Sequence, residues 1–269
     1  MATTRRGLPN PKSVVMEIPF SPAGILSMAE ISQVTPKYRI IRTNEVDGYE
    51  TTPSKLEVAE ALSPAAAKAK KKKKGKAGGG DNFKGTSRKA SKLSISDAKL
   101  EKFADLADLL KTLVDDKVMA KKKISTEATS KRVAQEERNV RVDVWIYAAS
   151  VEDDNDYHLI LGRDPDAEGK AVYMTMELSG LPPANAKSRQ ALEKARTDFK
   201  KFFTKHFAGN LPGKSYDFYD PPIEVQIEGS LFFDANHATG SKPGPQSLRK
   251  DMPTVWEVHP ISKIKLTAP

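Results

Sequence analysis

The chain has 269 residues, 38% of them hydrophobic and 29% charged, with a formal net charge of +9 and no cysteine. It is long enough for one large or two small domains, and the lack of thiols excludes disulfides, thiolate zinc sites and a cysteine nucleophile. The charge is local: between Lys68 and Lys99 twelve Lys or Arg stand against Asp81 and Asp97, a balance of +10, so the rest of the chain is close to neutral and the basicity belongs to one segment.

Arg5 and Arg6 are followed by Pro9, Pro11, Glu17 and Pro19 before any apolar core of signal-peptide length appears. No run approaches the roughly twenty apolar residues of a membrane span. The expectation is a soluble, cytoplasmic protein with no membrane partner.

Residues 1–63 read as a partly ordered segment. Two short apolar runs, Val14 to Ile18 and Tyr38 to Ile41, are separated by Pro19, Pro22 and Pro36. As strands they are too short to bury a core alone, so they need the rest of the chain or a protein partner. Residues 64–95 carry Ala65 to Ala67, Lys70 to Lys74 and Gly78 to Gly80, the composition of a flexible, disordered basic linker. Lys70, Lys71, Lys72, Lys73 and Lys74 are the candidate contacts to nucleic acid or another anionic polymer. Over 96–123 the spacing predicts an amphipathic helix, with Ser96 as N-cap and Leu100, Phe103, Leu106, Leu110, Leu113 and Val114 at three- and four-residue intervals. Lys121 to Lys123 would complement its dipole. Its stripe is read as docking on the C-terminal module, with a protein partner as the alternative.

The module itself spans 139–269. Val140, Val142, Val144 and Ile146 alternate with Arg141, Asp143 and Trp145, a strand with one face inward. The acidic loop Glu152 to Asp156 leads to a second strand, Tyr157 to Gly162, and a turn over Asp164 to Gly169 leads to a third, Ala171 to Leu178. A helix from about Ala184 to Phe207 would bury Leu192, Ala195, Phe199, Phe202 and Phe203. A fourth strand, Ile223 to Phe233, and a last one from Val255 to His259, extending toward Leu266, complete the pattern. The fold class is therefore mainly β with helices (α+β), an OB-like five-stranded barrel with a helix between strands three and four. Barrel closure removes exposed edges. An open five-stranded sheet packed on the helix would give the same pattern.

Three of the four histidines sit beside carboxylates, in Asp156-Tyr157-His158, Asp234-Ala235-Asn236-His237 and Glu257-Val258-His259. Residues two apart in a strand share a face, which pairs Asp156 with His158 and Glu257 with His259. A register of Leu161 with Val172, Leu159 with Met174 and Tyr157 with Met176 sets His158 opposite Thr175 and Asp156 opposite Glu177. Facing carboxylates need a proton, a base or a metal ion between them. If strands three and five are neighbours, as in an OB barrel, Glu257 and His259 reach Glu177. His158, Glu177, His259, Asp156 and Glu257 are thus the candidate metal ligands, with Asp234 and His237 as an outer polar pair. The mixed donors suit zinc, manganese or iron(II). The favoured reading of the same residues is structural, with cross-strand hydrogen bonds and no cofactor, a divalent metal being the exception. His206 reads as a helix-surface residue.

With those residues laid out, the module resembles a widespread group of small uncharacterised bacterial proteins. The likeness rests on Asp154 to Leu161, on Phe232-Phe233-Asp234 with His237, and on Trp256-Glu257-Val258-His259-Pro260. It covers about half of the chain, and it implies no activity. No Gly-rich phosphate loop, Gly-x-Ser-x-Gly elbow or His-Glu-x-x-His helix is present. The function expected is therefore a non-enzymatic binding or scaffolding module, with Trp145, Tyr147, Tyr157 and Tyr173 as its aromatics and the lysine-rich linker drawn to nucleic acid. The alternative is a metal-dependent, phosphodiesterase-like hydrolase built on the His and carboxylate cluster.

Overall fold

A computed structural model describes residues 14–18, 38–46, 81–238 and 242–267. Its strands are β1 (Val14–Ile18), β2 (Tyr38–Arg42), β3 (Leu100–Phe103), β4 (Asn139–Val151), β5 (Tyr157–Gly162), β6 (Tyr173–Leu178), β7 (Asp217–Phe233) and β8 (Trp256–Leu266). They are joined by helices α1 (Lys89–Lys92), α2 (Leu106–Lys111), α3 (Asp116–Ala120), α4 (Arg189–His206) and α5 (Gln246–Arg249). The protein is mainly β with helices. The strands form one mixed sheet ordered β1-β2-β7-β8-β6-β5-β4-β3, and a further β7–β4 pairing closes β4, β5, β6, β8 and β7 into a cycle. Within that cycle β6 and β8 are parallel and the other pairs antiparallel.

Period-two patterning puts one face of the cycle inside. Val140, Val142, Val144 and Ile146 of β4 are buried with Leu159 and Leu161 of β5, Met174 and Met176 of β6, and Val258 of β8. Helix α4 joins this core through Leu192, Ala195, Phe199, Phe202 and Phe203, whose spacing makes one apolar stripe. The expected helix therefore forms, starting at Arg189 rather than about Ala184. His206 lies against the Phe202 ring, 4.6 Å between centroids.

β7 begins six residues before the expected start. Pro221 and Pro222 lack the N–H a ladder needs, and they fall where the β4–β7 register shifts between Ile146 and Ala148. Ahead of them, residues 217–220 pair with β2, so the N-terminal run Tyr38 to Ile41 does find its place on this module. β5 and β6 are also offset from the expected register by two residues, with Leu161 opposite Met174, Leu159 opposite Met176 and Tyr157 opposite Leu178. Gly162 faces Tyr173, and a Cβ there would lie 2.7 Å from the rings of both Tyr147 and Tyr173. A two-residue shift preserves side-chain parity, so every residue keeps its expected face.

Two other expectations are corrected. No continuous helix forms over 96–123: Leu100 to Phe103 pair in parallel with β4 as β3, and Asp105 and Asp115 start separate helices by accepting the N–H groups of Ala107 and Lys117. Of the expected stripe Leu106 is fully buried and Phe103, Leu110, Leu113 and Val114 pack half-buried against the core, while Leu109, outside that stripe, is fully buried as well. The flexible linker expected over 64–95 does not cover residues 81–95, which are packed. Phe83 N–H donates to the Leu181 carbonyl, Lys84 N–H to that of Asp154, and Ser179 and Ser188 hydroxyls to those of Lys92 and Leu93. Gly180 is required here, because a Cβ would meet the Phe83 backbone at 2.6 Å. Lys70 to Lys74 lie outside the described residues.

Candidate functional site

The outward face of β5, β6 and β8 would be polar in an ordinary solvated sheet. Here residues 81–95 cross it and seal it. His158 of β5, Thr175 and Glu177 of β6, Glu257 and His259 of β8, and Asp156 at the mouth of β5 are all buried, and Lys92 of that segment acts on Glu177, Asp156 and Glu257. Asp156 arrives there through a tight turn in which Asn155 adopts a left-handed φ of 77°, a conformation Asn tolerates well.

Five candidate ligands therefore converge. His158 Nε2 lies 2.7 Å from Glu177 Oε1, and its Nδ1 lies 3.7 Å from Glu152. His259 is the hub: its Nδ1 is 2.8 Å from Glu177 Oε2 and 3.5 Å from Glu257 Oε2, and its Nε2 is 3.4 Å from Asp156 Oδ2. The corrected register sets His158, rather than Asp156, directly opposite Glu177. Asp156 instead accepts the Gly180 N–H through Oδ1. Asp156, Glu177 and His259 each offer a ligand atom within 4.8 Å of the others.

Asp234 and His237 do not join this set. They pair with each other in the loop after β7, His237 Nδ1 against Asp234 Oδ2. Their link to the cluster is electrostatic, through the Asp234 charge felt by Glu257. Of the aromatics named for the module, Tyr157 and Tyr173 are buried. A cavity of about 80 Å³ beside Tyr147, Arg163 and Lys170 lies at the β5–β6 connection, where none of the candidate ligands is found.

Burial and like charge raise the Asp156 carboxyl well above its ordinary range, with Asp154 and Glu177 adding to desolvation. Glu257 is raised likewise, by burial and then by Glu177 and Asp234. Glu177 goes the other way: burial opposes its charge, but His158, His259 and Lys92 outweigh it and hold the carboxyl well below its usual value. Burial depresses His259 against the pull of Glu177. Lys92 is raised, because Glu177, Asp156, Asp154 and Glu257 overcome its own desolvation.

Lys92 escaped the sequence reading because it belongs to a stretch whose composition suggests a linker. Its Nζ reaches Asp154 at 3.6 Å and stands 5.9 Å over the Phe232 ring. Arg88 was hidden for the same reason. It is 2% exposed, grips Glu136 through both terminal nitrogens at 2.6 and 2.7 Å, and stacks 4.6 Å over the opposite partner Phe232. Arg132 ties the carbonyls of Ser91, Ser94 and His259 together.

No family model matches the chain, and no curated protein or solved structure matches it. Among the described residues no helix is long and apolar enough to cross a membrane.

Proposed function

We propose that the chain is a non-enzymatic binding or scaffolding protein, in which an OB-like barrel is the folded platform and Lys70 to Lys74 supply the attraction to nucleic acid or a similar polyanion. The barrel reading is supported by the cyclic pairing, by the parallel contact between the third and fifth strands of the cycle, and by the helix between its third and fourth. One observation supports the non-enzymatic reading. Asp156 and His259 are 0% exposed and Glu177 and Glu257 1% exposed, so the chemically richest residues are walled off from any macromolecular substrate. The same sealed face argues against base stacking on these strands, which leaves the lysine tract as the polyanion contact.

The test is binding of a fluorescent single-stranded oligonucleotide by the full chain and by a variant lacking residues 68–76. Affinity should fall roughly tenfold or more between about 50 and 200 mM salt, and the deletion should remove most of it. Binding that survives both changes would put the contact on the barrel and overturn the assignment.

The metal-dependent hydrolase stands as a second reading because Asp156, Glu177 and His259 converge within metal-ligand reach. Manganese-stimulated cleavage of bis-p-nitrophenyl phosphate, lost in Asp156→Asn, would promote it over the first.

A further inference from the structure

The buried cluster is unevenly satisfied, and the unevenness has a direction. Each of its two central carboxylates has one oxygen fixed by a neighbour: Asp156 Oδ1 takes the Gly180 N–H, and Glu177 Oε1 sits 2.7 Å from His158 Nε2. The other oxygen of each, Asp156 Oδ2 and Glu177 Oε2, is buried with no hydrogen-bond partner among the described residues, as are both ring nitrogens of His259. Glu177 Oε2 faces one ring nitrogen of His259 and Asp156 Oδ2 the other. Glu177 Oε2 approaches His259 Nδ1 to 2.8 Å without the alignment a hydrogen bond requires, and His259 Nε2 stands 3.4 Å from Asp156 Oδ2. Buried polar atoms left in this way are costly.

We propose that Asp156, Glu177 and His259 hold one divalent transition-metal ion of the zinc or manganese type, which clamps β5, β6 and β8 together from their outer face. The donor set of two carboxylates and one imidazole suits such ions. Bonds of about 2.1 Å in a tetrahedral arrangement separate ligand atoms by roughly 3.4 Å, and one ligand atom from each of the three residues already lies within 4.8 Å of the others. His158 and the Gly180 amide are then the supports that orient the two carboxylates. Glu257 Oε2, 3.5 Å from His259 Nδ1, stands at the same ring nitrogen as Glu177 Oε2.

Lys92 does not remove the need for a cation. Its Nζ ion-pairs with Asp154 at the rim, at 3.6 Å, and one ammonium faces the buried carboxylates Asp156, Glu177 and Glu257 together. The function proposed above does not depend on the ion, which here ties strands together rather than meeting a substrate.

The experiment uses the untagged full chain, loaded with zinc or manganese, passed through gel filtration and analysed for metal. About one equivalent should remain, and EDTA should lower the melting temperature by roughly 5 °C or more, restored by the same metal. Asp156→Asn keeps an acceptor for Gly180 while removing the anionic oxygen, so it should lose the metal and the EDTA response together. His237→Gln, outside the set, should retain both. A native chain that keeps no metal and melts at the same temperature with EDTA, zinc or manganese would overturn the proposal, whatever the variants do. Full metal retention in Asp156→Asn would overturn it as well.

Discussion

Two buried charge clusters meet Phe232, Arg88 at 4.6 Å from its ring and the His259 ring at 5.4 Å, and they are built on opposite terms. In the first, each oxygen of Glu136 has two donors: Oε1 takes Arg88 and the Phe233 N–H, and Oε2 takes Arg88 and the Val133 N–H. In the second, three carboxylates and two imidazoles crowd together, and Asp156, Glu177, Glu257 and His259 each retain buried atoms without partners. The first has charge neutrality and a near-complete set of hydrogen bonds, so it fixes residues 81–95 and the loop before β4 against the sheet. The second has excess acid that must be met by protons or by a cation. Equal burial therefore marks two different roles, and the donor count separates them.

The largest expected effect tests the satisfied cluster. Glu136→Gln leaves the Arg88 guanidinium buried against a neutral amide, and should cost about 3 to 5 kcal/mol in chemical denaturation. Replacing both partners, as in Arg88→Met with Glu136→Leu, should not recover it, because the Phe233 and Val133 amides lose their acceptors. Recovery in the double variant would mean the cluster is merely a desolvated ion pair rather than a staple that also serves the backbone.

Asp217 lies between the two extremes. It has one cation, Arg42, at 3.4 Å, while its Oδ2 is buried without a partner. Burial raises its carboxyl from 3.8 to about 6 against the pull of Arg42. Folding thus strengthens proton binding, so the stabilisation is present below about pH 4 and is lost as pH rises through 6. Asp217→Asn should be nearly neutral at about pH 4 and stabilising by about 2 kcal/mol at pH 7.5, allowing for solvent screening at the exposed arginine. Parallel stability profiles for the two proteins between those pH values would show that Arg42 alone satisfies this carboxylate.

The contrast also explains what the sequence could disclose. Asp156, His158, Glu177, Glu257 and His259 were legible as one group because strand parity depends on residue spacing alone and survives a two-residue slip in register. Arg88 and Glu136 were not, being 48 residues apart with no periodicity linking them. Their segment was masked by neighbours: the lysines and glycines before residue 81 lend a linker's composition to residues that are in fact packed. Strand β7 was truncated in the reading by Pro221 and Pro222, since nothing in those residues announces that β2 would pair ahead of them.

The smallest effect concerns the misread helix of 96–123, where the apolar spacing was right and the punctuation was missed. Asp105 and Asp115 fall inside the expected helix, yet each is an N-cap that starts a new one, because a short carboxylate accepts a helix's first free N–H groups better than it sits within a turn. Asp115 is the cleaner test, since Asp105 also holds Arg163 at 2.8 Å. Asp115→Ala should cost about 1 kcal/mol and Asp115→Asn a few tenths, because Asn can still accept the Lys117 N–H. Were the segment one helix with Asp115 inside it, alanine would be the better helix former and the substitution would stabilise the protein. The sign of that change, read from urea unfolding of the two variants, decides between a broken and a continuous segment.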